Sequence, residues 1–391
     1  MKLRDKNFDG IKTIDRRWSW IEVDLSAIRH NINATKQIID SKCKLMVVIK
    51  ADAYGHGAVR VAKTAINCGA YYLGVATIDE ALELRLEGID QNILILSQPP
   101  IDSIPLLVKY DIMPAVYDPE FAVKYAEEAD KNSKLAKYHL AVNTGMNRIG
   151  IRYNNVLEFL SQVSFHRSLK LEGIFTHFAT ADCPDNLDFK KQYFNFVELI
   201  NELKHNGINP GLVHAANSAT IFRYPEAHFD MVRLGLSLYG YHTCNETRPI
   251  VNLKPVMSIH AKITDERILG FGEGVSYGMH YRARGATKIC TLPIGYADGL
   301  RQTLSQKIDI IYKGQKFRQV GNICMDMCMF EIDMNSAIAQ REFNAQVGEE
   351  VLLVGHQGES IITLDDLAKQ AGTSTYEMAC GFSRRMAVIY R

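Results

Sequence analysis

The feature that most constrains this chain is an alternation of texture between residues 45 and 236, where short apolar runs are separated by amphipathic stretches. The runs are Leu45–Lys50, Tyr72–Ala76, Ile93–Leu96, Met113–Val116, His139–Val142, Gly173–His177, Leu212–Ala216 and Met231–Gly235. They read as strands, and the spacing between them predicts helices. Ala58–Cys68 stops at Gly69, a favourable residue just past a helix end. Thr77-Ile78-Asp79-Glu80 is a capping-box pattern, and Asp118-Pro119 reads as an N-cap with its first helical residue. Asp188–His205 is long and amphipathic and ends at Gly207, while Ser26–Asp40 has apolar residues at helical spacing before the first strand. Strands separated by helices predict a parallel sheet, and eight of them close a (β/α)8 barrel. A doubly wound open sheet is the alternative, but no Gly-x-Gly-x-x-Gly follows a strand here.

After about residue 245 the texture changes. Val256–Ile268, Lys288–Ile294, Lys307–Tyr312, Gln319–Ile323, Met327–Ile332 and Glu350–Gly355 read as strands, and only Leu364–Ala371 looks helical. The expected class is therefore α/β, a TIM barrel over 18–245 followed by a mainly β domain over 246–391.

Composition narrows the function. The 391 residues are 47% apolar and 23% charged, as in ordinary globular proteins. A net charge of +1 leaves no nucleic-acid footprint, and no apolar run is long enough to span a bilayer. Met1–Arg17 is polar and lacks an apolar signal core, which predicts a cytoplasmic location. The eight cysteines form no Cys-x-x-Cys pair, and Cys324 and Cys328 lack further ligands at zinc-like spacing. Buried free thiols and no metal are expected.

Catalytic groups in barrels sit at the carboxyl ends of the strands. Here those ends carry Lys50, Asn143 with the Gly145–Arg148 loop, His177, Asn217-Ser218, and Arg233 with Gly235. A cation closing an apolar run delivers an amine to a strand tip, although a solvated lysine is the commoner fate of such a residue. The loops after strands seven and eight are the usual phosphate site of barrels. Asn217 and Ser218 offer side-chain donors there, and Gly235-Leu236 offer backbone N–H groups. An amine, a phosphate cradle and an arginine together suggest pyridoxal phosphate.

Several strings carry a more specific signal: Val48-Ile49-Lys50-Ala51-Asp52-Ala53-Tyr54-Gly55-His56-Gly57, Asn143-Thr144-Gly145-Met146-Asn147-Arg148-Ile149-Gly150 and Phe175-Thr176-His177-Phe178. His214-Ala215-Ala216-Asn217-Ser218-Ala219, Val232-Arg233-Leu234-Gly235-Leu236-Ser237 and Val275-Ser276-Tyr277-Gly278 continue the series. Pro293-Ile294-Gly295-Tyr296-Ala297-Asp298-Gly299, Cys324-Met325-Asp326 and Thr375-Tyr376-Glu377 complete it. In this order, from about Trp20 to Tyr390, the chain resembles the alanine racemase family.

The resemblance implies a pyridoxal 5'-phosphate enzyme that interconverts L-alanine and D-alanine and supplies D-alanine for peptidoglycan. By it, Lys50 would hold the cofactor and act as one acid/base, and Tyr277 would be the other. Tyr54, Asn217, Ser218, Gly235, Leu236 and Tyr376 would bind the phosphate region. Arg148 would meet the cofactor phenolate oxygen and the substrate carboxylate, with Tyr296 and Met325 also at the substrate. His177 would stack near the ring, and Arg233 would meet the ring nitrogen. The resemblance further implies a head-to-tail homodimer in which Tyr277 serves the site of the other subunit.

Those roles fit the chemistry. Racemisation takes a proton from one face of Cα and returns one to the other, and two flanking bases do this without turning the substrate. A guanidinium does not give up its proton, so a ring nitrogen facing Arg233 stays unprotonated and is a weak electron sink. The chain departs from the family pattern at Ala141, where many members carry a carbamylated lysine, and at Asn143, where an aspartate is frequent. Both changes remove negative charge near Arg148, and loss of the bulky charged side chain at Ala141 would leave room or alter polarity near the substrate. A serine or broad-spectrum racemase of the same fold is therefore the alternative. A barrel decarboxylase would favour a carboxylate in place of Arg233, and a non-enzymatic cofactor-binding barrel would lack the β domain.

Overall fold

The computed structural model describes residues 17–382 and 385–391. All of the polar segment Met1–Arg17 except Arg17 lies outside them. The chain divides into two compact units. One comprises Ser26–Ala53 and Gly57–Pro255, and the other comprises the residues up to Leu25, Tyr54–His56 and Val256–Arg391.

The first unit is a nearly closed eight-stranded parallel (β/α)8 barrel. Its strands are, in chain order, Lys44–Val48, Tyr72–Val75, Asn92–Ile95, Met113–Val116, Ala136–Asn143, Leu169–Phe175, Leu212–His214 and Met231–Leu234. Each pairs in parallel with the next as far as the seventh, and the eighth pairs with the first in the register Val232↔Leu45. The seam between seventh and eighth has no regular ladder. Asp230 N donates to Val213 O and Arg233 N to Ala216 O, each at 3.0 Å. Thr77 and Glu80 form the expected capping box, and Asp118 accepts from Glu120 N and Phe121 N with Pro119 behind it. Met46, Tyr72, Leu94, Met113 and Met231, one from each of five strands, fill part of the interior.

The second unit is mainly β. Its largest sheet runs Asp265–Leu269, Thr287–Leu292, Cys328–Asp333, Gln315–Val320, Asp309–Tyr312, Glu350–Gln357, Met257–Lys262, Ser19–Val23, Ala387–Tyr390. Ser19–Val23 thus belongs with the β unit, not with the barrel expected over 18–245. It lies antiparallel to Met257–Lys262 and parallel to Ala387–Tyr390. The single strand expected at Val256–Ile268 is two, Met257–Lys262 and Asp265–Leu269. Helices at Ala337–Glu342 and Thr375–Gly381 join the expected Leu364–Ala371. Gly274–Val275 and Tyr281–Arg282 form a small separate hairpin around Tyr277.

Candidate active site

Lys50 is half-buried where the first barrel strand gives out. That strand stops at Val48, two residues short of the run's end, because the backbone then turns the unusual way. Ala51, Asp52, Ala53 and Tyr54 all have φ of 53–54°. Left-handed helical geometry costs about 1–2 kcal/mol for each L-residue, so something must impose it. Ala51 N donates to Glu80 Oε1 at 2.7 Å, Ala53 N to Ile49 O at 2.9 Å, and Ala58 N to Asp52 Oδ1 at 2.9 Å. Helix Ile78–Leu86 and the next helix start therefore grip the turn that presents Lys50.

After the fifth strand, Asn143 organises its own loop. Its Oδ1 accepts from Gly145 N at 3.1 Å and Asn147 N at 3.0 Å, and its Nδ2 donates to Asn147 Oδ1 at 3.0 Å. Arg148 follows, exposed. Gln192, buried in the long helix Leu187–His205, ties this loop to the next one. Its amide donates to Thr144 Oγ1 at 3.2 Å and His177 O at 3.0 Å, and its oxygen accepts from Ala179 N at 2.9 Å.

His177, half-buried after the sixth strand, is held by Arg233. Arg233 Nη2 donates to His177 Nδ1 at 3.1 Å and to Thr176 O and Ala215 O at 2.9 Å. Nη1 donates to His214 Nδ1 at 3.1 Å. Arg233 Nε has no protein acceptor among the described residues. Burial, then Arg233, Arg148 and Lys50, push the His177 pKa down to about 3. Three cations thus act on one neutral imidazole, a rim suited to anionic ligands.

The loops after strands seven and eight are hydrogen-bonded together. Ser218 Oγ accepts from Gly235 N at 3.0 Å, and Asn217 Oδ1 caps the following helix through Thr220 N at 3.1 Å. The Leu236 N–H pairs with no acceptor among the described residues.

In the β unit, three turns meet. Tyr296 N donates to Cys324 O and Ala297 N to Met325 O, each at 3.0 Å. Ser276 Oγ donates to Asn322 O at 2.8 Å, and Asn322 Nδ2 to Tyr277 O at 2.9 Å. Tyr277 is 77% exposed, Met325 52% and Tyr296 43%. The Met325 carbonyl accepts from Ala297, and its N–H is the backbone donor of that residue. Tyr54 lies beside Tyr376, with ring centroids 6.2 Å apart. Gly55 makes this possible, since a Cβ there would meet Ala379 O at 2.7 Å.

Comparison with known proteins decides the family. Residues 23–243 match the model of the alanine racemase N-terminal domain, and residues 256–390 match that of the C-terminal domain. Alanine racemase of Treponema denticola is 41% identical over 94% of this chain and 97% of its own. The chain belongs to the alanine racemase family. Among solved structures, alanine racemase from Bacillus anthracis with bound L-Ala-P is 36% identical, with a TM-score of 0.89 over 96% of this chain and 95% of that one. Histidine racemase from Leuconostoc mesenteroides is 31% identical, with a TM-score of 0.86 over 96% and 98%.

Within that family, this chain's departure at Ala141 has a definite structure. Ala141 is 2% exposed and packs with Ala115, Phe175 and Tyr117. Two aromatic rings, Phe175 and Tyr117, are among the groups packed with it. Nor does Asn143 pair with Arg148: its Oδ1, the one side-chain atom that could accept from a guanidinium, takes Gly145 N and Asn147 N instead.

Sequence reasoning missed Gln192, His139, His214 and Asn322. Gln192 carried one signal, a lone amide three residues after Phe189 and four before Phe196 on the buried face of a helix. His139 shows only as a polar residue at the head of an apolar run, and His214 only as the first residue of the His214–Ala219 string, neither with a visible partner.

Proposed function

We propose that this chain is a pyridoxal-phosphate-dependent racemase that interconverts L-alanine and D-alanine, supplying D-alanine for peptidoglycan. The observation that carries the reading is the commitment of Arg233. Both of its terminal nitrogens serve protein acceptors, whereas Nε–H has none among the described residues and is left to donate. The donor set fits the cofactor. Lys50 offers the amine, Arg233 Nε–H suits an unprotonated ring nitrogen, and the Ser218 hydroxyl with the Leu236 N–H suits a phosphate. Tyr54, Asn217, Gly235 and Tyr376 complete that phosphate region.

Bound there, pyridoxal phosphate supplies an aldehyde for the lysine and an electron-accepting ring that acidifies Cα. Lys50 Nζ moves the proton on one face of the substrate. Tyr277 Oη, from a second copy in a head-to-tail homodimer, moves it on the other. Support for the second copy comes from Tyr277 itself, which is 77% exposed and flanked by the exposed Met279. His177 accepts from Arg233 at Nδ1 and so carries its proton on Nε2, where it is a donor for a phenol oxygen. Arg148, Tyr296 and the Met325 N–H receive the substrate carboxylate. Choosing a guanidinium over a carboxylate for the ring nitrogen favours reprotonation at Cα over decarboxylation. No described helix is long and apolar enough to cross a membrane, and a cytoplasmic location is part of the reading.

A broader side-chain range is the second reading, favoured by the missing charge at Ala141 and by the likeness to a histidine racemase. Both are tested by following α-hydrogen exchange in deuterated water over a panel of L- and D-amino acids. Fastest exchange on alanine, with deuterium in both enantiomers, is expected. No exchange on alanine ends the alanine assignment, and comparable rates on serine or histidine install the broader one.

A further inference from the structure

A line of hydrogen-bonded side chains crosses the barrel interior below Arg233. His214 Nδ1 faces Arg233 Nη1 at 3.1 Å, and His214 Nε2 lies 2.9 Å from His139 Nδ1. His139 Nε2 is 3.3 Å from Tyr72 Oη, whose hydroxyl donates to Met113 Sδ at 3.5 Å. The members stand on the eighth, seventh, fifth, second and fourth strands, and none is more than 4% exposed. Their walls are apolar. Phe175 stacks on His214 with centroids 5.0 Å apart, and the Arg233 guanidinium lies over the same ring. Gly173, on the sixth strand, makes room, since a Cβ there would meet His139 Nδ1 at 2.5 Å.

The chemistry allows one arrangement of protons. A guanidinium only donates, so His214 Nδ1 must carry a lone pair. A neutral imidazole holds one proton, so His214 is protonated on Nε2 and donates it to His139 Nδ1. His139 is then also protonated on Nε2 and donates to Tyr72. Every donor in the line points away from Arg233. A second proton on either ring would face another donor or the guanidinium, and burial together with Arg233 already disfavours such a charge.

We propose that His214, His139 and Tyr72 are positioning residues that fix the Arg233 guanidinium by holding His214 in its accepting tautomer. Nη1 is thereby kept on His214, and Nε–H remains as the donor for the cofactor ring nitrogen. This deepens the proposed function and rests on it. His139 never touches Arg233 in this scheme. It acts by taking the proton of His214, without which that ring is free to adopt the opposite tautomer and turn an N–H toward a cation. A role confined to filling the core makes no demand on tautomers.

The test uses the full-length chain labelled with 15N-histidine, first without added cofactor. Both His139 and His214 are expected to be neutral and protonated on Nε2 from pH 6 to 8, and either ring found cationic or protonated on Nδ1 overturns the proposal. Cofactor affinity is then measured by titrating pyridoxal phosphate. His139→Leu removes the acceptor and is expected to weaken binding about tenfold and to scramble the His214 tautomer. His139→Asn places an amide oxygen where Nδ1 was and is expected to restore both to within about threefold. Equal affinity and an unchanged His214 signal in the leucine variant overturn the idea. Should that variant not fold, Tyr72→Phe, which leaves the His139 N–H unpaired, serves with the asparagine variant, and an undisturbed pair of histidine signals in it is equally fatal. Failure of the unaltered chain to take up pyridoxal phosphate strikes the underlying function instead, while its histidine signals still report whether the line is built this way.

Discussion

Gln192 Nε2 donates to Thr144 Oγ1 across 3.2 Å, and through that bond one helix holds the loop that carries Arg148. Thr144 in turn meets Thr176 Oγ1 at 2.7 Å, next to His177. In a chain with no carbamate to orient Arg148, this amide is the brace. Gln192→Leu should cost about 1–3 kcal/mol of stability by stranding the Ala179 N–H and the His177 carbonyl. It should also raise KM for alanine more than it lowers kcat. Thermal melts and steady-state kinetics check both, and a lowered Tm with unchanged KM would confine Gln192 to a structural part.

Three histidines held neutral near Arg233 set an acid limit on stability. Burial, then Arg233, hold His139 at about 3, and burial, then Arg233, Arg148 and Lys50, hold His177 at about 3. His214 is pushed well below its ordinary value by burial, His139 and Arg233. An unfolded histidine titrates near 6.5, so between that pH and about 3 the unfolded chain binds the extra protons. Stability should therefore fall as pH drops below about 6.5. Chemical unfolding at pH 7, 6, 5 and 4.5 should show the decline, with a shallower slope in His139→Asn. Equal midpoints at pH 7 and pH 5 would contradict it.

The left-handed turn after Lys50 should show itself at an exposed position. Surface substitutions ordinarily shift stability by no more than about 0.5 kcal/mol. At Ala51, with φ of 53°, a β-branched side chain meets the full backbone penalty. Ala51→Val is expected to destabilise by about 1–2 kcal/mol, and Ala51→Gly to match or exceed the parent. Denaturant midpoints decide, and a neutral valine variant would mean that the turn is not left-handed in solution.

Composite sites make a distinctive arithmetic. Lys50→Ala and Tyr277→Phe should each be nearly inactive alone, the second keeping its bound cofactor. Unfolding is unnecessary if subunits exchange. A mixture should recover about a quarter of the parent activity, because half of the dimers are hybrids and each hybrid holds one intact site. No recovery after verified exchange would place both residues in the site of the same subunit.

Much of this was legible in the chain. Parallel strands buried on both faces read as continuous apolar runs, which is why the barrel could be seen, and polar residues at their carboxyl ends marked the rim. The boundary at Val48 was not legible, because nothing about Ala51, Asp52 and Ala53 as L-residues announces φ near 53°. Ser19–Val23 was misplaced for a different reason. Its five residues are all buried, and a buried strand does not say which sheet it enters. The internal histidines were overlooked since a polar residue inside an apolar run shows its partner only when another strand, here 75 residues on, is brought alongside.

Ser19–Val23 lies hydrogen-bonded in parallel to Ala387–Tyr390. A ribosome releases the first of these segments long before it makes the second. At synthesis rates of roughly 5–20 residues per second, the early strand waits on the order of tens of seconds for its neighbour. All of the barrel's residues are made in that interval, while the early strand still lacks its parallel neighbour. Completion of this part of the β sheet thus waits on a segment made about 370 residues after the first.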